Sequence, residues 1–300
     1  MAEWMSCLFT WGWGKDGQLG LGDPKGLNKC NPTRIEQGVP SNVCAVSCGG
    51  EHSAALTADG ALYTWGGGRC GQLGLGDWTG HRSPQRVASL KGHFVRLVVC
   101  GSFSTAAVTD AYELFTWGCG REGQLGHGDR SSPKAPRLVE ALRDTPIVSV
   151  SFGEHHTAAL TRDGELLAWG CAGGGRLGLG EDGGEDELLP RQVEALEGIP
   201  LSGVACGESF TVAISREEGR VYSWGHGEHG ELGQEAETTV SQPCSIPSSR
   251  FQHEVPCQLS CGRQHTLLLT EAGNVYTWGR GLNGQLGHGS RGDQRCGPTS

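Results

Sequence analysis

Three glycines near the N-terminus have the spacing of a phosphate-binding loop. Gly12, Gly14 and Gly17, in the stretch FTWGWGKDGQLGLGD, match Gly-x-Gly-x-x-Gly. In a dinucleotide-binding unit that pattern follows a strand and opens a helix, whose first N–H groups hold the pyrophosphate. No segment with helical periodicity follows here, because the apolar residues that come next alternate with a period of two. The context therefore favours structural glycines, and we predict no cofactor.

Three histidines are candidate metal ligands or catalytic bases. His52, His156 and His265 occur at one place in separate copies of a motif such as CGGEHSAAL or FGEHHTAAL. Residues at one place in successive repeats do not converge on a single ion, and Ser104 and Phe210 replace the histidine in the other two copies. We expect structural hydrogen bonds within each repeat and no catalytic residue.

The 13 cysteines do not form a recognisable metal site. The two closest pairs, Cys44 with Cys48 and Cys257 with Cys261, have three intervening residues and no matching histidine pair. Zinc sites normally combine two such pairs at short, regular spacing. We therefore predict no metal, and scattered cysteines are typical of a reduced, intracellular compartment, cytoplasmic or nuclear.

All of these glycines and histidines belong to one internal repeat. Trp-Gly recurs in register at intervals of 52 to 55 residues, and in each copy a glycine six positions after the tryptophan opens Gly-x-Leu-Gly. The repeated tryptophans, which we expect in the core, are Trp11, Trp65, Trp117, Trp169, Trp224 and Trp278. The 51 glycines of the 300-residue chain thus serve tight turns and close approaches between repeats.

Each repeat reads as short strands. HSAALTADGALYTW and HTAALTRDGELLAW predict a strand, an Asp-Gly turn and a second strand, which is a β-hairpin. The copy STAAVTDAYELFTW lacks the glycine, so its turn is expected to differ. A stretch from a proline to an aliphatic residue, such as Pro84 to Val87, predicts a further strand. The chain is therefore predicted to be all-β.

The full pattern closely resembles a known family. Trp-Gly-x-Gly-x-x-Gly-x-Leu-Gly, then Pro-x-x-Val, then Cys-Gly-x-x-His-Thr, is similar to the regulator of chromosome condensation repeat, over about residues 8–298. The resemblance implies a β-propeller, and family members look like seven-bladed rings. We expect one propeller domain over residues 1–300, with about six blades visible, an incomplete last repeat and truncation from a ring of seven.

The resemblance also frames the predicted function. The family includes an exchange factor for the small GTPase Ran, a plant UV-B photoreceptor and recognition domains of ubiquitin ligases. We predict a non-enzymatic scaffold that binds a small GTPase, a ubiquitination-related partner or a basic protein surface, with Ran-type nucleotide exchange as the alternative. UV-B sensing is disfavoured because no tryptophan follows the glycine of the second motif, where the resemblance implies that the photoreceptor carries its light-sensing residues.

Candidate partner-binding residues are of two kinds. Trp13 and Trp78 lie outside the tryptophan register, in predicted loops, where an aromatic side chain suits partner contact. The others follow the glycine of the second motif and are Glu51, Phe103, Glu154, His155, Glu208 and Arg263.

Charge points to the kind of partner. The chain has 24 basic and 33 acidic residues, a net charge of −9, which argues against direct nucleic-acid binding through bulk electrostatics. The stretch EDGGEDE, residues 181–187, together with Glu51, Glu154 and Glu208, predicts an acidic face for a basic partner. No apolar run is long enough to predict a membrane span.

Overall fold

The computed structural model describes residues 7–180, 184–217, 219–234 and 239–299. Within them lie five four-stranded antiparallel sheets, one two-stranded sheet and short 3₁₀ helices, and no α-helix. The all-β prediction is confirmed, and each four-stranded sheet corresponds to one blade of a β-propeller. The chain divides into two compact units, each described in turn.

Unit 1 comprises the described residues up to Arg121 together with Asp129–Pro146. It contains the two-stranded sheet and two blades. The two-stranded sheet pairs β1 (Phe9–Gly12) with β2 (Lys29–Arg34). The first blade is β3 (Val43–Cys48), β4 (His52–Thr57), β5 (Leu62–Gly66) and β6 (His81–Arg86), and the second is β7 (Val95–Cys100), β8 (Ser104–Thr109), β9 (Leu114–Gly118) and β10 (Arg137–Leu138).

Unit 2 comprises Glu122–Gly128 and the described residues from Ile147 onward. It contains three blades, each with its strands in chain order. They are β11 (Ile147–Phe152), β12 (His156–Thr161), β13 (Leu166–Gly170) and β14 (Glu187–Gln192); β15 (Leu201–Cys206), β16 (Phe210–Ser215), β17 (Val221–His226) and β18 (Thr239–Ile246); and β19 (Pro256–Cys261), β20 (His265–Thr270), β21 (Val275–Gly279) and β22 (Gln294–Thr299).

The second strands β4, β8 and β12 show why the motif has short side chains in these three blades. All six residues of β12 are buried, and Ala158 and Ala159 at its centre have no exposed surface. Sheets that are covered on both faces leave little room above and below this strand, so alanine and threonine fit where larger residues would not. Leu160, Leu166 and Val193 belong to the core cluster that fills the space beside it.

The proline-containing stretches form the fourth strands. Pro84 lies in β6, and Val87 after it is buried before the 3₁₀ helix Ala88–Leu90. Similar helices follow in three other repeats, at Glu140–Leu142, Glu194–Leu196 and Ser248–Phe251. A fourth strand is an edge strand, which tolerates a residue without an N–H donor. The predicted strand is therefore present, and the 3₁₀ turn that follows it is an additional element.

The number of blades corrects the sequence prediction. Six in-register Trp-Gly copies predict about six blades, whereas the described residues contain five four-stranded sheets. A blade needs the two strands that precede its tryptophan strand as well as the proline strand after it. The copy at Trp11 has only β1 and β2, which pair as a two-stranded sheet. Counting tryptophans therefore counts one blade too many.

The repeated tryptophan fastens each blade to the preceding Gly-x-Leu-Gly loop. Trp169 donates from Nε1 to the carbonyl of Gln124 at 2.9 Å, and a Cβ on Gly126 would lie 2.9 Å from the same nitrogen. The same bond, at 2.7 to 3.1 Å, joins Trp65 to Gln18, Trp117 to Gln72, Trp224 to Arg176 and Trp278 to Glu231. These five tryptophans are at most 3% exposed, so their predicted core position is confirmed.

Trp11 is the exception, and the prediction that it is buried is wrong. Its side chain is 59% exposed. The buried tryptophans each lie against a Gly-x-Leu-Gly loop from the preceding repeat, and the printed sequence has no such loop before β1. Its neighbour Phe9 on the same strand is 49% exposed. The repeat pattern specifies what surrounds a tryptophan only where a preceding repeat supplies the partner loop.

The hairpin without glycine corrects a second expectation. Tyr112 takes φ +65° and donates its N–H to the Thr109 carbonyl at 2.9 Å, as Gly60 does to Thr57. The turn is therefore the same, with a tyrosine in the left-handed conformation that glycine normally supplies. The guanidinium of Arg96 lies 4.5 Å from the centre of the Tyr112 ring. That stacking helps to hold the tyrosine in this conformation.

Two of the three motif histidines, His52 and His156, make structural hydrogen bonds, but these bonds differ from the expected ones. His156 Nε2 lies 2.9 Å from Thr211 Oγ1, and His52 Nε2 lies 2.8 Å from Thr105 Oγ1. Each threonine belongs to the next blade, so the bond joins neighbouring sheets rather than residues of one repeat. Burial lowers the pKa of His52 to about 4 and that of His156 to about 3. Both rings are therefore neutral near pH 7.

Candidate protein-interaction surface

The residues after the second-motif glycine form short turns between the first and second strands of each blade. The carbonyl of the second turn residue accepts a hydrogen bond from the residue two positions after the repeated tryptophan. Cys119 donates to Phe103 at 2.9 Å, and His226 donates to Ser209 at 2.8 Å. The loop after Trp-Gly therefore lies beside the turn, and we call the turns and these loops together the turn surface of each unit.

The turn surface of unit 1 carries an ion pair and an exposed ring. Arg69 Nη2 lies 2.8 Å from each carboxylate oxygen of Glu51. Phe103, in the next turn, is 36% exposed. The turns are linked through their backbones, because the N–H of Gly50 donates to the carbonyl of Ser102 at 3.2 Å. Glu51 is thus largely neutralised by a neighbouring loop, and the ring of Phe103 remains available for contact.

The two tryptophans outside the register lie in exposed positions, also in unit 1. Trp13 is 60% exposed and Trp78 is 56% exposed. The Lys134 ammonium lies 4.2 Å from the centre of the Trp78 ring, which is a cation–π contact. Aromatic side chains are enriched at protein interfaces relative to the rest of the protein surface.

The turn surface of unit 2 carries a three-residue ion cluster. Arg263 Nη2 lies 2.6 Å from Glu208 Oε1 and 3.3 Å from Glu154 Oε2. The backbones follow the same order, since Glu154 donates to the Glu208 carbonyl at 3.3 Å and Glu208 donates to that of Arg263 at 2.8 Å. The Arg263 guanidinium lowers the pKa of Glu208. Of the predicted residues, the structure thus brings together Glu154, Glu208 and Arg263, with His155 at 4.0 Å from Glu154.

A cavity of about 170 Å³ opens beside this cluster. Glu231 on its wall is buried, which raises the pKa of its carboxyl, and its Oε2 accepts the N–H of His229 at 2.8 Å. Glu228 is 68% exposed and lies 3.3 Å from His226 Nε2. The lining consists of Glu208, Ser209, Phe210, His226, Glu228, His229, Glu231, Arg263 and Gln264. The cavity is smaller than a typical ligand pocket and has room for a single side chain of a partner.

The predicted acidic segment is described only in part. Residues 181–183 lie outside the described residues. Of the rest, Asp186 accepts the N–H of Ala172 at 3.1 Å, and Glu187 pairs with Arg191 at 2.7 Å. These carboxylates therefore satisfy neighbouring groups of unit 2.

Sequence reasoning missed the loop residues that complete each cluster. Arg69 and Glu228 both occupy the fourth position after a repeated tryptophan, and His226 occupies the second. A search for charged residues at these two positions finds Arg69, His226 and Glu228. The reason is that in each of the five blades the loop after Trp-Gly lies beside the turn of the second motif. Over the described parts of the chain, no group of three or more histidine, cysteine, aspartate or glutamate side chains could hold a metal ion. In those same residues no helix has the length and apolar character needed to cross a membrane.

Comparison with known proteins agrees with this geometry. The model of the regulator of chromosome condensation (RCC1) repeat matches residues 6–56, 59–108, 113–160, 163–214, 218–269 and 272–300. The ultraviolet-B receptor UVR8 of Arabidopsis thaliana is 36% identical over 96% of this chain and 64% of its own length. The E3 ubiquitin-protein ligase HERC2 of Homo sapiens is 36% identical over 94% of this chain, which spans only 6% of that protein.

Solved structures agree on the fold. Human WBSCR16 has a TM-score of 0.86 and 25% identity over 97% of this chain and 75% of its own. Prp20p of Saccharomyces cerevisiae, whose binding to Gsp1p and histones was described with its structure, has a TM-score of 0.62 and 20% identity, over 97% of this chain and 84% of its own. At that identity the second likeness shows the fold alone.

The chain forms successive four-stranded sheets, and the repeated tryptophan of each sheet donates a hydrogen bond to the preceding loop. This arrangement defines a repeat protein of the β-propeller class. With the repeat matched along almost its whole length, the chain belongs to the regulator of chromosome condensation (RCC1) repeat family.

Proposed function

We propose that this chain is a non-enzymatic interaction module that binds a protein partner through the loops and turns of its blades. The observation that carries this proposal is the exposure of Trp13 and Trp78, at 60% and 56%, on loops outside the buried tryptophan register. Tryptophan is the side chain most enriched among residues that dominate binding energy at protein interfaces.

Both tryptophans lie in loops that are held in place. The Asp77 carboxylate accepts the N–H of Thr79 at 2.8 Å across the Trp78 loop. The N–H of Gly14, next to Trp13, donates to Asn28 Oδ1 at 3.0 Å. A preorganised aromatic side chain loses little conformational entropy on binding, so more of its contact energy is available for affinity.

The chemistry of unit 2 supports a partner with an exposed basic side chain. The cavity beside Arg263 is lined by Glu208, Glu228 and Glu231, and only the first of these pairs with Arg263. A lysine or arginine side chain of a partner fits both the volume and the charge. The net charge of −9 favours association with a basic surface at longer range.

Affinity capture with the intact chain, quantified by mass spectrometry, tests the proposal. A partner retained by the wild type should fall at least about tenfold in the Trp78→Ala variant, since truncating a hot-spot residue costs about 2 kcal/mol or more and about 1.4 kcal/mol is tenfold in affinity. Trp11→Ala is the matched control, because Trp11 is 59% exposed but lies on a strand. Equal recovery of every protein by the wild type, Trp13→Ala, Trp78→Ala and Trp11→Ala would argue against loop-mediated binding.

Nucleotide exchange on a Ran-like GTPase is the alternative, and the same protein preparation distinguishes it. Release of labelled GDP is followed across a panel of small GTPases with the intact chain at micromolar concentration. Under the interaction-module proposal, a GTPase can be bound without faster release of its nucleotide. Accelerated release that is lost in a loop variant would make exchange the function instead.

A further inference from the structure

One repeat position carries a different side chain in the loop between β17 and β18. The residue after the glycine that opens Gly-x-Leu-Gly is Glu231 there, Arg176 in one other copy and a glutamine in the remaining four, namely Gln18, Gln72, Gln124 and Gln285. Each glutamine oxygen accepts the N–H of the residue two positions earlier, at 2.8 to 3.0 Å. Glu231 Oε2 accepts the same bond from the His229 N–H, at 2.8 Å. The turn therefore needs one side-chain oxygen, and a neutral amide supplies it.

The carboxylate of Glu231 adds a negative charge that the turn does not require. Its side chain is buried, and among the described residues only the His229 N–H hydrogen-bonds to it. The His229 ring pairs with Asp293 instead, with Nδ1 3.0 Å from Oδ2. No lysine or arginine in the described parts of the chain forms a salt bridge with Glu231. A buried carboxylate is costly unless a cation pairs with it, so a bound cation would stabilise Glu231.

A second carboxylate of the same cavity has an acceptor atom without a partner. Arg263 Nη2 lies 2.6 Å from Glu208 Oε1, whereas Glu208 Oε2 is buried and has no hydrogen-bond partner among the described residues. Glu208 and Glu231 both line the cavity of about 170 Å³. Buried polar atoms are normally hydrogen-bonded, so the two carboxylates together favour a ligand that donates hydrogen bonds and carries positive charge.

We propose that the cavity beside Arg263 binds the guanidinium of an arginine side chain on the protein partner, with Glu231 and Glu208 as its acceptors. The inference rests on the proposed function and names the side chain that the partner inserts. A guanidinium has five N–H donors in a planar fork, so one group can donate to both carboxylates. It is also more weakly hydrated than the ammonium of lysine and therefore enters a buried site at lower cost. Arg263 itself lies at the rim, since its side chain is 71% exposed.

Titration of the intact, isotope-labelled chain with N-acetyl-arginine amide tests the assignment, because this probe carries the side chain without a charged terminus. Amide signals of cavity residues such as His229 should shift saturably in proton–nitrogen correlation spectra. N-acetyl-citrulline amide, which has nearly the same shape and no charge, should cause no saturable shift. N-acetyl-lysine amide should bind more weakly than the arginine probe, and free arginine should bind no more tightly than that probe.

Glu231→Gln removes the charge and keeps the turn. Glutamine makes the same backbone bond in the four other copies, so the variant should fold, and circular dichroism checks this. Its affinity for N-acetyl-arginine amide should fall at least about tenfold, because a hydrogen bond to a charged group is lost. Glu140→Gln in unit 1 is the matched control. It makes the same change of charge at an exposed ion pair with Arg143 and should bind the probe as the wild type does.

The assignment is overturned if Glu231→Gln binds the probe as tightly as the wild type, or if the wild type shows no saturable shift at millimolar concentrations. Equal affinity for the lysine probe would overturn the choice of a guanidinium. Tighter binding of free arginine would identify a free amino acid, rather than a partner, as the ligand. The capture experiment with Trp78→Ala is separate, because it tests a loop of unit 1. Capture that depends on Trp78, without binding of the arginine probe, would leave the proposed function standing and remove this inference.

Discussion

The repeated tryptophan joins neighbouring sheets through a shared acceptor. In unit 2 the Gln124 carbonyl accepts both the indole N–H of Trp169, at 2.9 Å, and the hydroxyl of Thr157, at 2.6 Å. A carbonyl oxygen has two lone pairs, so both bonds can be made with good geometry. Trp169 is completely buried, so its removal would leave a large cavity and an acceptor with one bond fewer.

Trp169→Ala should therefore lower the free energy of unfolding by about 3–5 kcal/mol, the usual cost of removing a buried aromatic side chain. Urea unfolding, followed by circular dichroism, measures the change. Trp11→Ala is the control within the same repeat position, because its 59% exposed side chain should contribute no more than about 0.5 kcal/mol. Similar losses in the two variants would contradict the role assigned to the indole bond.

The buried histidine His156 predicts a dependence of stability on pH. Burial lowers its pKa from 6.5 to about 3 in the folded state, so the unfolded chain takes up a proton more readily as the pH falls below 6.5. The folded state therefore loses stability from pH 6.5 downward until the pH reaches the folded pKa. Between pH 7 and pH 5 the loss from this one group is about 2 kcal/mol.

Unfolding free energies at pH 7 and pH 5 check this contribution. His156→Gln should show a loss about 2 kcal/mol smaller than that of the wild type, because the titrating group is gone. An identical pH dependence in the wild type and His156→Gln would contradict the prediction.

Single residues also show where sequence reasoning succeeds and where it stops. The register correctly predicts that Trp169 is buried, because the partner loop is another copy of the same repeat. It mispredicts Trp11, which has no Gly-x-Leu-Gly stretch before it in the printed sequence and is 59% exposed. It also misjudges Tyr112, because the cost of a positive φ at a tyrosine is offset by stacking with Arg96, a residue outside the local pattern.

At the scale of structural elements, the Gly-x-Leu-Gly loop must leave room for an indole. Gly126 has φ +77°, and an added Cβ would approach Trp169 Nε1 to 2.9 Å. Gly126→Ala should therefore cost about 1–2 kcal/mol for the left-handed conformation and a further 1–3 kcal/mol for the clash with the indole ring. Thermal unfolding measures the sum as a drop in Tm.

Gly287→Ala separates these two costs. Gly287 occupies the same repeat position with φ +78°, but nothing lies within 4 Å of its added Cβ. This variant should lose only the conformational part. If Gly287→Ala lowers Tm as much as Gly126→Ala does, the tryptophan contact is not the reason for the glycine.

The sheets follow from the sequence more readily than their number does. The period of two and the Asp-Gly turns predict the hairpins, and the structure has them at β4–β5 and β12–β13. The assignment of strands to blades was harder to predict. Each blade begins at the strand that precedes the second motif, whereas the most obvious repeat in the sequence begins at Trp-Gly. The pairs Glu51 with Arg69 and Arg263 with Glu208 could not be read from either motif alone, since they form where separate loops meet.

At the scale of the whole molecule, membership of the family does not by itself imply the light response of a relative. UVR8, at 36% identity, is an ultraviolet-B receptor. The turns of this chain carry Gly50–Glu51, Ser102–Phe103, Glu154–His155, Glu208–Ser209 and Arg263–Gln264, with no tryptophan. We expect the mass measured by size-exclusion chromatography with light scattering to be unchanged by UV-B irradiation. A light-dependent change in mass, absent from a sample kept in the dark, would contradict this expectation.

The hydrogen bond from each buried repeated tryptophan to the preceding loop, which we call the joint between repeats, affects how such a chain can evolve. Its acceptor is a main-chain carbonyl, so Gln124, Arg176 and Glu231 all serve the tryptophan of the following repeat equally well. A substitution at this position therefore does not by itself remove the acceptor of the tryptophan N–H. A duplicated segment of one repeat length would carry a donor at one end and an acceptor at the other, and could be spliced between existing copies. The protein is thus free to gain or lose repeats and to diversify its loops, without redesigning the contacts that hold neighbouring sheets together.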